Sequence, residues 1–147
     1  MNGRETQIER LSGELLPRTA LLTRLLFRRL GGSLSRSELG LLAAVEERPA
    51  RVTALAELEG LAQPTMTLLV QRLEEQGLVR RERHRQDGRV VLVHLTEAGR
   101  RELERVRARA AEVLRPALRE MPTEQLDALA AASESMGVLV AALQSRG

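Results

Sequence analysis

Residues 61–95 read LAQPTMTLLVQRLEEQGLVRRERHRQDGRVVLVHL, and their pattern decides the architecture. Met66, Leu69, Val70 and Leu73 recur at i, i+3, i+4 and i+7, the spacing of one buried helical stripe. Pro64 suits the first turn, where its missing N–H is not needed. Gly77, after Glu74-Glu75-Gln76, suits the helix end. At about 100° per residue, Pro64, Thr67, Leu68, Gln71 and Glu75 lie opposite the stripe, and Thr65 and Arg72 lie on one flank. A short helix that buries one face and turns Thr, Gln and Arg outward matches what reading a DNA major groove requires.

After Gly77 the period changes. Leu78 and Val79 open a strand, Arg80–Arg85 is mostly basic, and Asp87-Gly88 signals a hairpin turn. Val90–Leu95 is apolar and β-branched, so it returns as a second strand. Helix plus basic hairpin is a winged helix-turn-helix: the helix enters one groove and the hairpin tip reaches an adjacent one.

The flanking sequence supports this unit with helices. Upstream, Thr53 is positioned to cap a helix over Ala54–Glu59, and Gly60-Leu61-Ala62 is the turn between the two helices of the motif. Ser35 or Ser37 can cap the helix before that, which runs to about Glu47 with Leu39, Leu42 and Val45 inward. Residues 47–52, with Pro49, read as a turn and a short strand. The first helical segment spans Thr6–Leu30. Its candidate buried positions are Ile8, Leu11, Leu15, Leu22, Leu25, Leu26 and Phe27. Pro17 predicts a kink or a division into two pieces.

Downstream, Thr96 caps a helix to about Glu120 that keeps Leu103, Val106, Ala110, Val113, Leu114 and Ala117 on one face. Met121-Pro122-Thr123 breaks the chain. A last helix over Glu124–Gln144 then buries Leu126, Leu129, Met136, Leu139, Val140 and Leu143. The predicted fold class is mainly α with a two-stranded wing, in one domain over residues 1–147 whose DNA-binding lobe is 33–96.

Charge placement agrees. Every basic residue is Arg, and the net charge is only +3. Arg80–Arg119 holds 12 Arg against six acids, while the remainder is net negative. The positive field therefore falls on the wing and the helix after it. With one Phe and no Tyr or Trp, the core must be aliphatic. The absence of Cys excludes disulfides and thiol switches. No signal peptide or 18-residue apolar run is read, so a cytoplasmic chain with no membrane partner is expected.

The run PTMTLLVQRLEEQGLVRR, then Asp87-Gly88-Arg89, then Leu95-Thr96-Glu97-Ala98-Gly99, resembles the MarR family of bacterial transcription regulators. The resemblance implies a regulator, most often a repressor, that binds pseudo-palindromic double-stranded DNA as a homodimer through helices at 5–30 and 97–144. It also implies a small-molecule effector site between the dimer helices and the lobe. The residues carried over as DNA-binding are Gln63, Pro64, Thr65, Thr67, Leu68, Gln71, Arg72, Arg83, Arg85 and Arg89, with Asp87 and Gly88 steadying the wing. Arg89 matches the family's wing-tip arginine, whose insertion a narrow minor groove favours. Arg80, Arg81, Arg83 and Arg85 are phosphate contacts or solvated side chains.

Two positions depart from the family pattern. Ala62 stands where a Ser or Thr often caps the helix, and Leu68 where a polar or basic residue is frequent. Leu68 is either a plain exposed Leu or a contact to a thymine methyl.

Other chemistry finds no support. His84 and His94 are ten residues apart without Cys, a poor metal site. Glu46-Glu47 and Glu74-Glu75 are neighbours along helices and do not converge on a substrate. No catalytic residues, metal or cofactor are therefore expected. The rival of another class is a winged-helix protein-interaction scaffold, which an outward Thr/Gln face and a wing Arg argue against.

Overall fold

The computed structural model describes residues 2–146, so Met1 and Gly147, the ends of the predicted span, lie outside the described residues. In chain order the elements are α1 (Gly3–Leu30), α2 (Arg36–Glu47), α3 (Val52–Glu59), α4 (Gln63–Glu75), β1 (Val79–Arg83), β2 (Val91–Leu95), α5 (Glu97–Glu120) and α6 (Thr123–Gln144). The mainly helical, winged class is therefore as predicted. The chain divides into two compact units, residues 1–110 and 111–147, with the boundary inside α5.

The first unit holds the core. Leu41, Leu42 and Val45 of α2, Leu55 and Ala56 of α3, and Met66, Val70 and Leu73 of α4 close on one another and on Val79, Val93 and Leu103. Burying each such aliphatic side chain contributes on the order of 1.5–3 kcal/mol. The predicted stripe of α4 is this inward face, with Leu69 partly buried at its edge.

Local chemistry sets the element ends. Ser35 caps α2 in a full capping box: its hydroxyl accepts the Glu38 N–H, and the Glu38 carboxylate accepts the Ser35 N–H. Gly60 ends α3 at φ +64°, the left-handed turn into α4. Gly77 ends α4 at φ +74°, and the Leu78 N–H reaches back to the Leu73 carbonyl at 2.9 Å. Both turns favour glycine for its lack of a Cβ.

Several local expectations are corrected. Of the two outcomes expected at Pro17, the division into two pieces does not occur: α1 runs as one 28-residue element. Thr53 does not cap α3; the helix starts at Val52 after Arg51, with no side-chain cap. An isolated bridge explains this start, because Ala50 and Val93 exchange hydrogen bonds of 3.2 and 2.8 Å and hold the entering chain extended. That bridge is all that remains of the strand predicted near 47–52. Pro49 has no N–H with which to extend it.

The terminal helices leave their apolar positions open within the single chain. No residue of α1 or α6 is buried within the chain. The positions expected inside, among them Ile8, Leu11, Leu22, Leu126, Leu129, Met136 and Leu139, are exposed. The helical period identifies an apolar face, but it does not name what covers it. The expectation of no long apolar run is also corrected. Among the described residues α6 is long and apolar enough to cross a membrane, with a mean hydropathy of 1.5 over its most apolar window.

Candidate nucleic-acid interface

Helix α4 presents its outward side in the first unit. Gln63, Pro64, Thr65, Thr67, Leu68, Gln71 and Arg72 are all exposed, Leu68 to 66%. The Thr67 hydroxyl donates to the Gln63 carbonyl at 2.9 Å, and the Gln71 amide donates to Glu75 at 3.1 Å. Ala62, the N-cap, provides no side-chain acceptor. A helix N-terminus without such a cap keeps the positive end of its dipole turned to its surroundings.

Arg72 is more constrained than its flanking position predicts. Its Nη1 donates to Glu38 Oε1 at 3.3 Å, while its side chain stays 64% exposed. Glu38 itself is 1% exposed, the one charged side chain buried with the core among the described residues. Burial raises its pKa, but the hydrogen bonds from the backbone and side chain of Ser35 and the nearby Arg72 outweigh this and hold it below its ordinary value. Sequence reading missed Glu38, although the Ser35-x-x-Glu38 spacing of a capping box was there to find.

The wing is an antiparallel pair in which Val79 faces Leu95 and Arg83 faces Val91. Its tip is broader than the two-residue turn that Asp87-Gly88 suggests. Residues 84–90 form the loop, closed by the His84 N–H donating to the Val90 carbonyl at 2.8 Å. Asp87 opens a tight turn: its carbonyl accepts the Val90 N–H at 3.0 Å, and its carboxylate accepts the Arg89 N–H at 3.0 Å. Arg83 braces the same tip by donating to the Gly88 carbonyl at 3.2 Å. Arg85 and Arg89 are exposed on the loop. His84 accepts the Gln86 N–H, and His94 lies 3.7 Å from Glu82.

Three struts fix this wing and helix to the lobe. Arg81 donates twice to Glu74 through its side chain, at 3.0 and 2.8 Å, and once through its N–H at 2.8 Å. This ties the end of α4 to β1 and uses an Arg that the sequence left open between phosphate and solvent. Glu46 accepts two hydrogen bonds from Arg107, at 3.2 and 2.7 Å, joining α2 to α5. The third strut is Leu95-Thr96-Glu97-Ala98-Gly99. The Thr96 hydroxyl donates to the Gly77 carbonyl at 2.6 Å and accepts the Gly99 N–H at 3.0 Å, and the Thr96 N–H donates to the Leu78 carbonyl at 3.1 Å. One threonine thus caps α5 and pins the turn that ends α4.

The Glu74 strut predicts an acid limit. The side-chain and backbone hydrogen bonds from Arg81 hold the Glu74 carboxyl below its ordinary 4.5. A carboxylate depressed in the folded state stabilises fully above its unfolded pKa, and this is lost as pH falls through the folded value. The difference in urea midpoint between the native chain and Glu74→Gln should be flat above about pH 5 and shrink below 4.5. A difference that stays constant down to pH 3 would mean the strut carries no charge-dependent stability.

Residues 34–91, the winged lobe, match the model of the MarR family. That lobe is similar to the MarR family. A MarR family protein from Bacillus stearothermophilus is 26% identical and superposes with a TM-score of 0.73, over 96% of this chain and 99% of that one. A putative transcriptional regulator from Pseudomonas aeruginosa is 28% identical with a TM-score of 0.72, over 92% and 96% of the two chains. BpsR of Bordetella bronchiseptica, whose DNA binding is regulated by 6-hydroxynicotinic acid, shares the fold at 20% identity and a TM-score of 0.60, over 85% and 91%. No protein of curated function matches the sequence.

The first unit also carries a cavity. It has a volume of about 240 Å³ beside residues 31–34, and its walls include Phe27, Leu30, Leu34, Leu39, Arg105 and Val106. Arg105 is ion-paired with Glu102, which also lines it. The lining is apolar with a charged edge, a composition suited to a small amphipathic molecule.

Proposed function

We propose that the chain is a cytoplasmic transcription repressor that binds a pseudo-palindromic duplex as a homodimer and is released by a small-molecule effector. The observation that carries this reading is α4: a MarR-type helix whose Thr65, Thr67, Leu68 and Gln71 are exposed together, strapped by Glu74 and Arg81 to an arginine-bearing wing. A helix held this firmly can read base edges, because it offers one orientation to the groove. The exposed apolar face of α6 and the exposed Ile8, Leu11, Leu22 and Leu25 of α1 support a second copy as their cover. The cavity beside 31–34 supports a small effector, in keeping with the regulation of BpsR by an aromatic acid.

Positioning and reading are separable by experiment. Arg89 at the wing tip should enter the minor groove, and Gln71 should touch a base in the major groove, the only groove that distinguishes all four pairs. Arg89→Ala should weaken binding to every site with the same flank and make the salt dependence shallower by about one released counterion. Gln71→Ala should cost about 1–3 kcal/mol on the best site and little on random duplex. The measurement is a salt titration of fluorescence anisotropy on a duplex from the region upstream of the chain's own gene and on random duplex. Unchanged affinity and slope for Arg89→Ala would remove the wing from the groove. A native chain that binds neither duplex would favour the scaffold reading.

A further inference from the structure

Glu38 joins three features that are otherwise separate. Its backbone N–H and carboxylate both engage Ser35, and its other carboxylate oxygen accepts Arg72 of α4. Ser33 and Leu34, immediately before Ser35, and Leu39, immediately after Glu38, line the cavity. The wall of the cavity is therefore continuous in sequence with the capping box, and the capping box is hydrogen-bonded to the outward helix.

The asymmetry of the Arg72 contact decides its direction. Glu38 is buried and doubly tied to Ser35, so it is the fixed partner. Arg72 is long, mostly exposed and held by one donor nitrogen at 3.3 Å. An Arg fork anchored at one nitrogen keeps further N–H groups for a second acceptor, and its orientation is already fixed before that acceptor arrives.

We propose that Glu38 is a positioning residue that orients Arg72 toward a DNA phosphate and couples the cavity to α4 through the Ser35 cap. Filling the cavity shifts the 33–35 segment, the cap loosens, and Glu38 no longer holds Arg72 in place. This rests on the DNA-binding reading above and adds the residue pair that carries the regulation.

The test is a mutant cycle on the full chain. Coupling is measured as non-additivity, which proximity alone does not establish. Val106→Phe adds bulk to the cavity lining and stands in for a bound molecule. It should weaken binding to the upstream duplex roughly tenfold, a factor within the usual range of coupling between sites. In an Arg72→Ala background the same substitution should cost less than threefold. Arg72→Ala alone should also reduce the salt slope by about one charge.

Glu38→Gln should reproduce the loss of coupling. Should that buried change prevent folding, the exposed Arg72→Ala variant still completes the cycle. A tenfold loss from Val106→Phe in both backgrounds overturns the coupling, as does no loss in either. Failure of the native chain to bind any duplex is a different result, and it would overturn the DNA-binding reading itself.

Discussion

Gly99→Ala should destabilise the lobe by about 3 kcal/mol, the upper end of what overpacking costs, although alanine is the better helix former. A Cβ built on Gly99 lies 2.1 Å from the Leu78 carbonyl oxygen and 2.6 Å from a Leu95 methyl. The first neighbour is backbone, so no rotamer change relieves the contact. The Leu78 carbonyl also accepts the Thr96 N–H, so moving it strains the cap of α5 as well. Helix propensity returns only about 1 kcal/mol. For a domain of this size a loss of about 3 kcal/mol corresponds to a fall of roughly 6–12 °C in Tm. Gly88→Ala is the control: a Cβ there meets nothing within 4 Å, so its Tm should stay close to that of the native chain. Equal Tm values for Gly99→Ala and the native chain would show that α5 does not press on the Leu78 turn.

This contact also links stability to function. Leu78 lies between the end of α4 and the first residue of β1, and Gly99 sets how closely α5 approaches it. A shift there changes the angle between α4, the helix proposed to read DNA, and the wing. DNA affinity should therefore fall for Gly99→Ala even at temperatures where the variant is fully folded.

Much of this arrangement was legible in the sequence because it is local or periodic. Met66, Val70 and Leu73 announce their face by spacing alone, and they are among the most buried side chains. Gly77 and Thr96 are recognisable by the turn and cap chemistry they supply. The hairpin was legible, but its tip was not: Asp87-Gly88 permits a primed two-residue turn, whereas the chain uses Asp87 as an acceptor within a longer loop.

The acids were the least legible. Glu38, Glu46 and Glu74 look alike as helical glutamates, yet each has a different role. One is sealed in a capping box, one joins α2 to α5, and one straps the wing. Their partners lie 3, 61 and 7 residues away, so only the first falls within a local pattern. Charge counting put the excess of arginine on the wing and the helix after it. It did not show that Arg81 is already committed to Glu74, leaving Arg85 and Arg89 as the exposed arginines of the tip loop.

Leu129→Glu combined with Met136→Glu should dissociate the proposed dimer while leaving the first unit folded. These positions are seven residues apart on α6, two turns along the same face, and both are about two-fifths exposed or more in the single chain. In a monomer they would be ordinary surface changes, within about 0.5 kcal/mol of neutral. In a symmetric dimer each change occurs twice, so four carboxylates enter one apolar seam. The penalty for burying an ion without a partner is still several kcal/mol after relaxation. A dimer with a micromolar dissociation constant is held by only about 8 kcal/mol, so four such penalties exceed its association energy. Sedimentation should show a native particle of about twice the 16.3 kDa chain, and a variant at the single-chain mass or aggregated through its exposed α1 face. Leu68→Glu, on the exposed side of α4, provides the contrast: it should leave the mass unchanged while opposing DNA by its charge. A double variant that stays dimeric would mean that the second copy does not sit on this face of α6. Some other partner would then have to account for a 22-residue helix with no buried side chain.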